Sequence, residues 1–395
     1  IMSKKKILGL ILELNPPHYG HKYFIEKAKE LINPDITIAV ISTNFSMRGD
    51  IMTLDKFTKT KICLDLGIDL IAELPTVLSL ASADYFAYNA VNILSKLNVT
   101  DIVFGAEANN INDLNFYVET INNVSYNLSL KDFLQKGHSY STAANKAMEL
   151  FTKDLELINM FSLPNNTLAI QYINAIKKIN PEINYNIIKR INNNYYDENV
   201  TGKISSATSI RCLMKENKVF NDYVIDNNVN YINQADSYNK LYDIIKYKLL
   251  LTNPNELKSI LGVNEGIESR LINIIKNTNN YDEFLSLAVT KRYTVNKIKR
   301  ILINIILDIK EKSNLCYNNI DFLVRVLGFN ELGKKHISSL PKEMKKCIIT
   351  TLKNVNNNIY DIELRSTVLY GLLTNNNLLY LQEYNIPIRS EKNDN

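Results

Sequence analysis

Cysteine and histidine are scarce in this chain, at four residues each among 395, and tryptophan is absent. Cys63, Cys212, Cys316 and Cys347 stand far apart, with no C-x-x-C pair and no neighbouring histidine. That scatter excludes a zinc-finger ligand set and a disulfide framework, and a reducing cytoplasm suits it. Long apolar runs are missing as well. Nowhere do about 18 uncharged apolar residues follow one another, so no membrane-spanning helix is expected. The start, Ile1-Met2-Ser3-Lys4-Lys5-Lys6, is basic and then apolar, but Glu13 and the Asn15-Pro16-Pro17 turn interrupt the stretch and no small-residue cleavage site follows. No secretory signal is expected from it. Neither sign of charge is in large excess: the formal net charge of +5 permits a polyanionic partner without demanding one. The lack of tryptophan, beside abundant Asn, Ile, Lys and Tyr, reads as compositional bias and excludes nothing. Internal repeats are not evident.

What is present is ample apolar material, 46% of the residues, in a length for which more than one domain is the default. The first half alternates two periodicities. Apolar runs at Ile7 to Glu13, Ile36 to Ser42, Asp69 to Glu73 and Asp101 to Phe104 read as strands, and helical patterns carried by Phe24, Ile25, Ala28, Leu31 and Ile32, over Asp55 to Leu66 and over Asp84 to Leu97, lie between them. Such alternation predicts a parallel sheet covered on both faces, with ligands bound at the carboxyl ends of its strands. His18, Asn44 and Gly105 all fall near such ends, where they could line one crevice. From about residue 110 to 185 helices dominate, clearest at Lys153 to Phe161 and Asn166 to Ile179, before a late strand at Asn184 to Lys189.

The densest chemistry lies in Glu13-Leu14-Asn15-Pro16-Pro17-His18-Tyr19-Gly20-His21, where the first strand gives way to the first helix. A helix start there offers unpaired N–H groups and a positive dipole end, which suit phosphate. Two imidazoles add donors for charge that builds on an α-phosphate, and Gly20 allows close backbone approach. A bare H-x-G-H also serves simply as a helix cap. A second candidate anion turn, after the Asn-rich stretch Asn192 to Lys203, is Ser206-Ala207-Thr208-Ser209-Ile210-Arg211, where hydroxyls and a guanidinium meet a helix start near Ser206. A plain capping box with a solvated arginine is the competing reading.

Past about residue 218 strand signals fade, and Tyr238 to Leu251, Ile267 to Lys276, Val295 to Ile309 and Phe322 to Leu327 read as helices. Within them Thr290-Lys291-Arg292-Tyr293-Thr294, with Lys297, Lys299 and Arg300, could grip an RNA backbone and stack a base on Tyr293, although a solvated cationic helix end is the commoner arrangement.

Together these pieces resemble the tRNA(Met) cytidine acetate ligases, an offshoot of the HIGH-motif nucleotidyltransferase superfamily. The resemblance spans nearly the whole chain. It rests on Glu13 to His21, on Asn44-Phe45-Ser46-Met47-Arg48-Gly49-Asp50 with Asp55-Lys56, on Asp69 to Pro75, and on Ala83-Asp84-Tyr85-Phe86-Ala87-Tyr88. It continues through Phe104-Gly105-Ala106-Glu107, Pro164-Asn165-Asn166, Arg190 with Tyr195-Tyr196-Asp197, Ser206 to Arg211, Glu265 to Arg270, Lys291 to Thr294 and Arg325 to Phe329. The fold it implies is α/β: a Rossmann-like parallel-sheet nucleotidyltransferase domain over residues 1–217, then an all-helical, tRNA-binding C-terminal domain over 218–395.

The activity it implies is ATP-dependent. Acetate is adenylated to acetyl-AMP with release of pyrophosphate, and the acetyl group passes to the exocyclic amine of the wobble cytidine in elongator tRNA(Met). By resemblance His18, His21 and Arg211 serve catalysis. Nucleotide contacts fall to the loop Ile11, Leu12, Glu13, Leu14, Asn15, Pro16, Pro17, Tyr19, Gly20, Lys22, Tyr23 and Phe24, together with Gly105, Asn165, Arg190, Ser206 and Thr208. Lys291, Arg292, Lys299 and Arg300 are the RNA-binding candidates. Magnesium is expected to accompany ATP on phosphate oxygens and water, with no protein ligand nominated. The chain departs from the family pattern at Pro17, Thr43, Ala106 and Tyr196. An alternative is a small-molecule nucleotidyltransferase of the pantetheine-phosphate or nicotinamide-mononucleotide type, against which the extra helical part argues. A non-catalytic RNA-binding protein is a third reading, opposed by the intact His18, Gly20, His21 and Arg211.

Overall fold

The computed structural model describes residues 5–108, 110–160, 163–190, 205–311 and 323–390. Five parallel strands form the centre: β1 (Ile7–Leu12), β2 (Ile36–Ser42), β3 (Leu70–Leu74), β4 (Asp101–Ala106) and β5 (Asn184–Lys189), in the order β5-β4-β1-β2-β3. The strands are apolar on both faces because both are covered. Leu8, Leu10, Leu12, Ala39 and Ile41 pack with Ile25, Ala28 and Ile32 of the helix Tyr19–Ile32. Ile7, Ile36, Ile38 and Val40 join the opposite core with Ala90, Val91 and Leu94 of the helix Ala83–Lys96. This is the α/β architecture expected from the alternation, with helices dominating the C-terminal part. No described helix is long and apolar enough to cross a membrane.

One segment differs from the sequence reading. The pattern over Phe322 to Leu327 predicts a helix, yet Val324–Phe329 is a strand, β6, antiparallel to β3, and β7 (Ile348–Ile349) and β8 (Ile388–Arg389) pair with it. A short strand buried on both faces shows no alternation, so periodicity cannot separate it from a buried helical turn. The C-terminal part thus returns to complete the sheet edge.

That return is fastened by buried charge. Lys56 Nζ lies 2.5 Å from Glu73, 2.8 Å from Glu363 and 2.7 Å from Glu383, and Arg325 pairs with Glu73 and Glu383. All five are buried. Two cations against three carboxylates leave one negative charge in excess. Burial, working against the pull of Lys56 and Arg325, pushes the Glu73 carboxyl up to about 7, so Glu73 is the member poised to take up a proton as the pH falls. Around the cluster Thr76 N donates to Glu363, and Asn44 Nδ2 donates to Ser366 and Thr367 on the helix Asn358–Leu373. Asn44 therefore ties the C-terminal helix to the end of β2 rather than facing the crevice.

Candidate active site

β2 and β3 run outward on one side of β1, and β4 and β5 on the other, so the carboxyl ends of β1 and β4 flank a topological switch point, where open α/β sheets leave room for a ligand. A cavity of about 940 Å³ opens there. Its floor is the loop after β1. Leu14, fully buried, holds a φ of +56°, a conformation a leucine adopts only under surrounding constraint. Asn15 Oδ1 accepts from Thr53 N at 2.9 Å, and Asn15 O accepts from Arg211 Nη1 at 2.6 Å. The loop is thereby clamped from two sides.

The loop ends in an unusual cap. His18 is the N-cap of Tyr19–Ile32; its Nδ1 accepts from Gly20 N at 3.0 Å, and His21 Nδ1 accepts from His18 N at 3.2 Å. The two rings lie 4.0 Å apart between centroids. Because each Nδ1 is an acceptor, each neutral ring carries its proton on Nε2. Both rings are held neutral. Burial and then Arg190 pull His21 down to about 3, and burial, His21, Arg190 and Arg211 place His18 well below its ordinary value. The pair line the cavity as N–H donors, in place to meet negative charge without themselves taking up a proton.

The opposing wall is a second helix start. Ser206 caps Ala207–Lys215 by accepting from Ser209 N at 3.1 Å, and Arg211 on that helix also reaches Thr208 Oγ1 at 3.3 Å. A third wall comes from β4 and the helix Pro164–Ile179. Glu107 accepts from Asn166 N at 2.8 Å and from the Asn165 side-chain amide, and Asn165 Oδ1 accepts from Arg190 Nη1 at 2.9 Å. Arg190 is thus aimed by a short chain that begins at a carboxylate.

Of the expected nucleotide contacts, Ile11 to Asn15, Gly20, Tyr23, Phe24, Gly105, Asn165, Arg190, Ser206 and Thr208 line this one cavity with His18, His21 and Arg211. Pro16, Pro17, Tyr19 and Lys22 do not line it. Pro17 O instead accepts from Ile225 N at 3.2 Å, and exposed Lys22 lies 3.9 Å from Glu26. Tyr195, Tyr196 and Asp197 are outside the described residues. Sequence reading does not nominate Glu107, Arg48, Asp50, Phe86 or Tyr172 as site residues, although all line the cavity. Four of these lie in segments that carry the family resemblance; only Tyr172, hidden in an ordinary helical stripe, leaves no signal.

The basic segment divides. Lys291 and Arg292 are exposed, with Arg292 3.3 Å from Glu265. Lys299 and Arg300 instead face the crevice loop: Lys299 Nζ pairs with Asp50 at 2.7 Å and Arg300 Nη1 donates to Met47 O at 3.4 Å. Gly49, at φ +83°, permits this packing, since a Cβ there would stand 2.8 Å from Arg300 N. Tyr293 is a further correction: it is 5% exposed, its hydroxyl donates to Asn264 O at 2.7 Å, and it cannot stack a base from there.

Comparisons with known proteins agree over almost the full length. Residues 5–384 match the HIGH Nucleotidyl Transferase family. A protein named tRNA(Met) cytidine acetate ligase from Clostridium kluyveri is 35% identical over 399 residues, covering 96% of this chain and 97% of that protein. One of the same name from Thermosipho africanus is 36% identical over 370 residues, 88% of this chain and 86% of that protein. Among solved structures, Thermotoga maritima TmcAL without ligand superposes with a TM-score of 0.85 at 28% identity, over 98% of this chain and 100% of that one. The same protein bound with alpha-thio ATP gives a TM-score of 0.83 over the same shares.

Proposed function

The chain belongs to the HIGH nucleotidyl transferases and, within them, to the tRNA(Met) cytidine acetate ligases, and from that membership we propose how its crevice activates acetate and delivers the acetyl group to tRNA. It is an ATP-dependent ligase that joins acetate to the wobble cytidine of elongator tRNA(Met). Acetate is already an anionic nucleophile at neutral pH, so its attack on the α-phosphate needs no general base. The work lies in positioning and in stabilising charge. His18 and His21 would donate from Nε2 to the α-phosphate oxygens as acetyl-AMP forms. Arg211, Ser206 and Thr208, at the opposing helix start, would hold the departing pyrophosphate, and Arg190 with Asn165 and the Gly105 edge would hold the nucleotide.

One observation carries this reading most directly: both histidines spend Nδ1 on the backbone of their own helix, which leaves two fixed, neutral Nε2–H donors in a cavity that also holds Arg211. Magnesium would ride on the triphosphate. Among the described residues no group of three or more His, Cys, Asp or Glu side chains could hold a metal ion, and a phosphate-borne ion asks for no such group. Residues 1–217 would carry the nucleotide chemistry and 218–395 the tRNA, with Lys291 and Arg292 on the RNA-facing surface and the cytoplasm as the working compartment.

Incubation with ATP, acetate and unmodified elongator tRNA(Met) is expected to yield N4-acetylcytidine at the wobble position, with AMP and pyrophosphate. Absence of both acetylcytidine and acetyl-AMP would refute the reading. Pyrophosphate exchange that ignored acetate but required pantetheine phosphate or nicotinamide mononucleotide would favour the small-molecule alternative, which the names of the relatives do not support.

A further inference from the structure

The transfer half of the reaction has a requirement that the adenylation half lacks. When the exocyclic N4 of cytidine attacks the acyl carbon, a C–N bond forms, the bond from that carbon to the bridging phosphate oxygen breaks, and AMP leaves with the electron pair. N4 must then shed one proton. Its lone pair is delocalised into the pyrimidine ring, so attack is slow unless that proton is drawn off as the bond forms.

Among the described residues lining the cavity, few groups can accept it. The histidines cannot, because each Nδ1 already accepts a backbone N–H and each Nε2 bears a hydrogen. Asp50 is bound to Lys299, and although burial alone would raise it, Lys299, Arg211 and Arg48 hold its carboxyl below the ordinary range. Both oxygens of Glu107 accept from Asn165 and Asn166. Glu13 differs: Oε2 accepts from Met47 N at 2.9 Å, which fixes the carboxylate, and Oε1 has no hydrogen-bond partner among the described residues. Glu13 sits directly after β1, five residues before His18, and Tyr172, whose ring lies 5.4 Å from that of Phe104, lines the same cavity.

We propose that the Glu13 carboxylate, anchored through Oε2 on Met47 N, accepts the N4 proton of the target cytidine at Oε1 during acetyl transfer. Glu13 is then a catalytic base of the second half-reaction and not only part of the nucleotide loop. The proposal rests on the acyl-adenylate reading above, and the two fail in different ways. If wild-type enzyme forms no acetyl-AMP, the parent reading is wrong.

The test separates the halves. Acetate-dependent ATP–pyrophosphate exchange and single-turnover transfer from preformed acetyl-AMP to elongator tRNA(Met) transcript are measured for wild type, Glu13→Gln and Glu13→Asp. The Gln side chain keeps an acceptor for Met47 N while abolishing the base. Transfer by Glu13→Gln is expected to fall at least about 100-fold further than its exchange does, the scale of general-base catalysis, with Glu13→Asp recovering part of the loss. Equal loss in both halves, or transfer by Glu13→Gln at the wild-type rate, would overturn the proposal. Thermal melting of each variant within a few degrees of wild type establishes that folding is not the cause.

Discussion

His18 and His21 cap one helix jointly, each imidazole Nδ1 accepting a backbone N–H of the same first turn, with their rings 4.0 Å apart. The arrangement gives the helix its cap and the crevice its donors with the same two side chains. It also fixes their protonation.

Histidine protonation follows from the direction of those shifts. His21 titrates near 3 when folded and near 6.5 when unfolded, so above about pH 6.5 both states are neutral and the native state suffers no penalty. As the pH falls from about 6.5 toward 3 the unfolded chain takes up protons that the folded chain refuses, and stability declines. Nitrogen-15 spectra of the imidazoles are expected to show His18 and His21 as Nε2–H tautomers that do not titrate between pH 5 and 8. A titration midpoint near 6.5 for either would contradict the geometry.

The buried cluster predicts unequal effects from its members. Arg325→Met removes one of two cations and strands the carboxylates, and it should cost about 3–5 kcal/mol of stability by denaturant unfolding. Glu73→Gln removes the carboxylate in excess of the two cations, and it should cost far less. Because the folded Glu73 carboxyl is raised to about 7, its contribution is full below the ordinary glutamate range and is lost as the pH rises through 7. Glu73→Gln should flatten that part of the stability profile.

Lys291 and Arg292 stand on the surface, whereas Lys299 and Arg300 fasten the crevice loop. Neutralising Lys291 and Arg292 should weaken tRNA binding and reduce the slope of log affinity against log salt by about one for every phosphate no longer neutralised, with ATP affinity unchanged. Lys299→Met should instead disturb ATP turnover, since it frees Asp50 on the crevice wall. Filter binding and pyrophosphate exchange distinguish the two outcomes.

Much of this architecture is legible in the sequence. The spacing of apolar residues places β1 to β5, and the chemistry of His18, His21 and Arg211 identifies helix starts that share one cavity in the folded chain. Three features are not legible, each for a physical reason. β6 is buried on both faces, so its residues carry no period. Glu363 and Glu383 join Lys56 and Arg325 only through tertiary contact about 300 and 60 residues away, a pairing no local pattern encodes. Tyr293 reads as an exposed stacking platform because its neighbours are cationic, yet its ring is enclosed beneath Lys297, 4.0 Å from the ring centroid, and its hydroxyl is spent on Asn264.

The role given to the two histidines is tested most directly by acetate-dependent ATP–pyrophosphate exchange in wild type and His21→Ala, with tRNA binding measured on the same preparations. Exchange should fall by about 100- to 1,000-fold in His21→Ala, the usual loss on removing one preorganised donor, while tRNA affinity stays within about twofold. Exchange that survives the substitution, or a loss of tRNA binding as large as the loss of exchange, would contradict the assignment of His21 to charge on the α-phosphate.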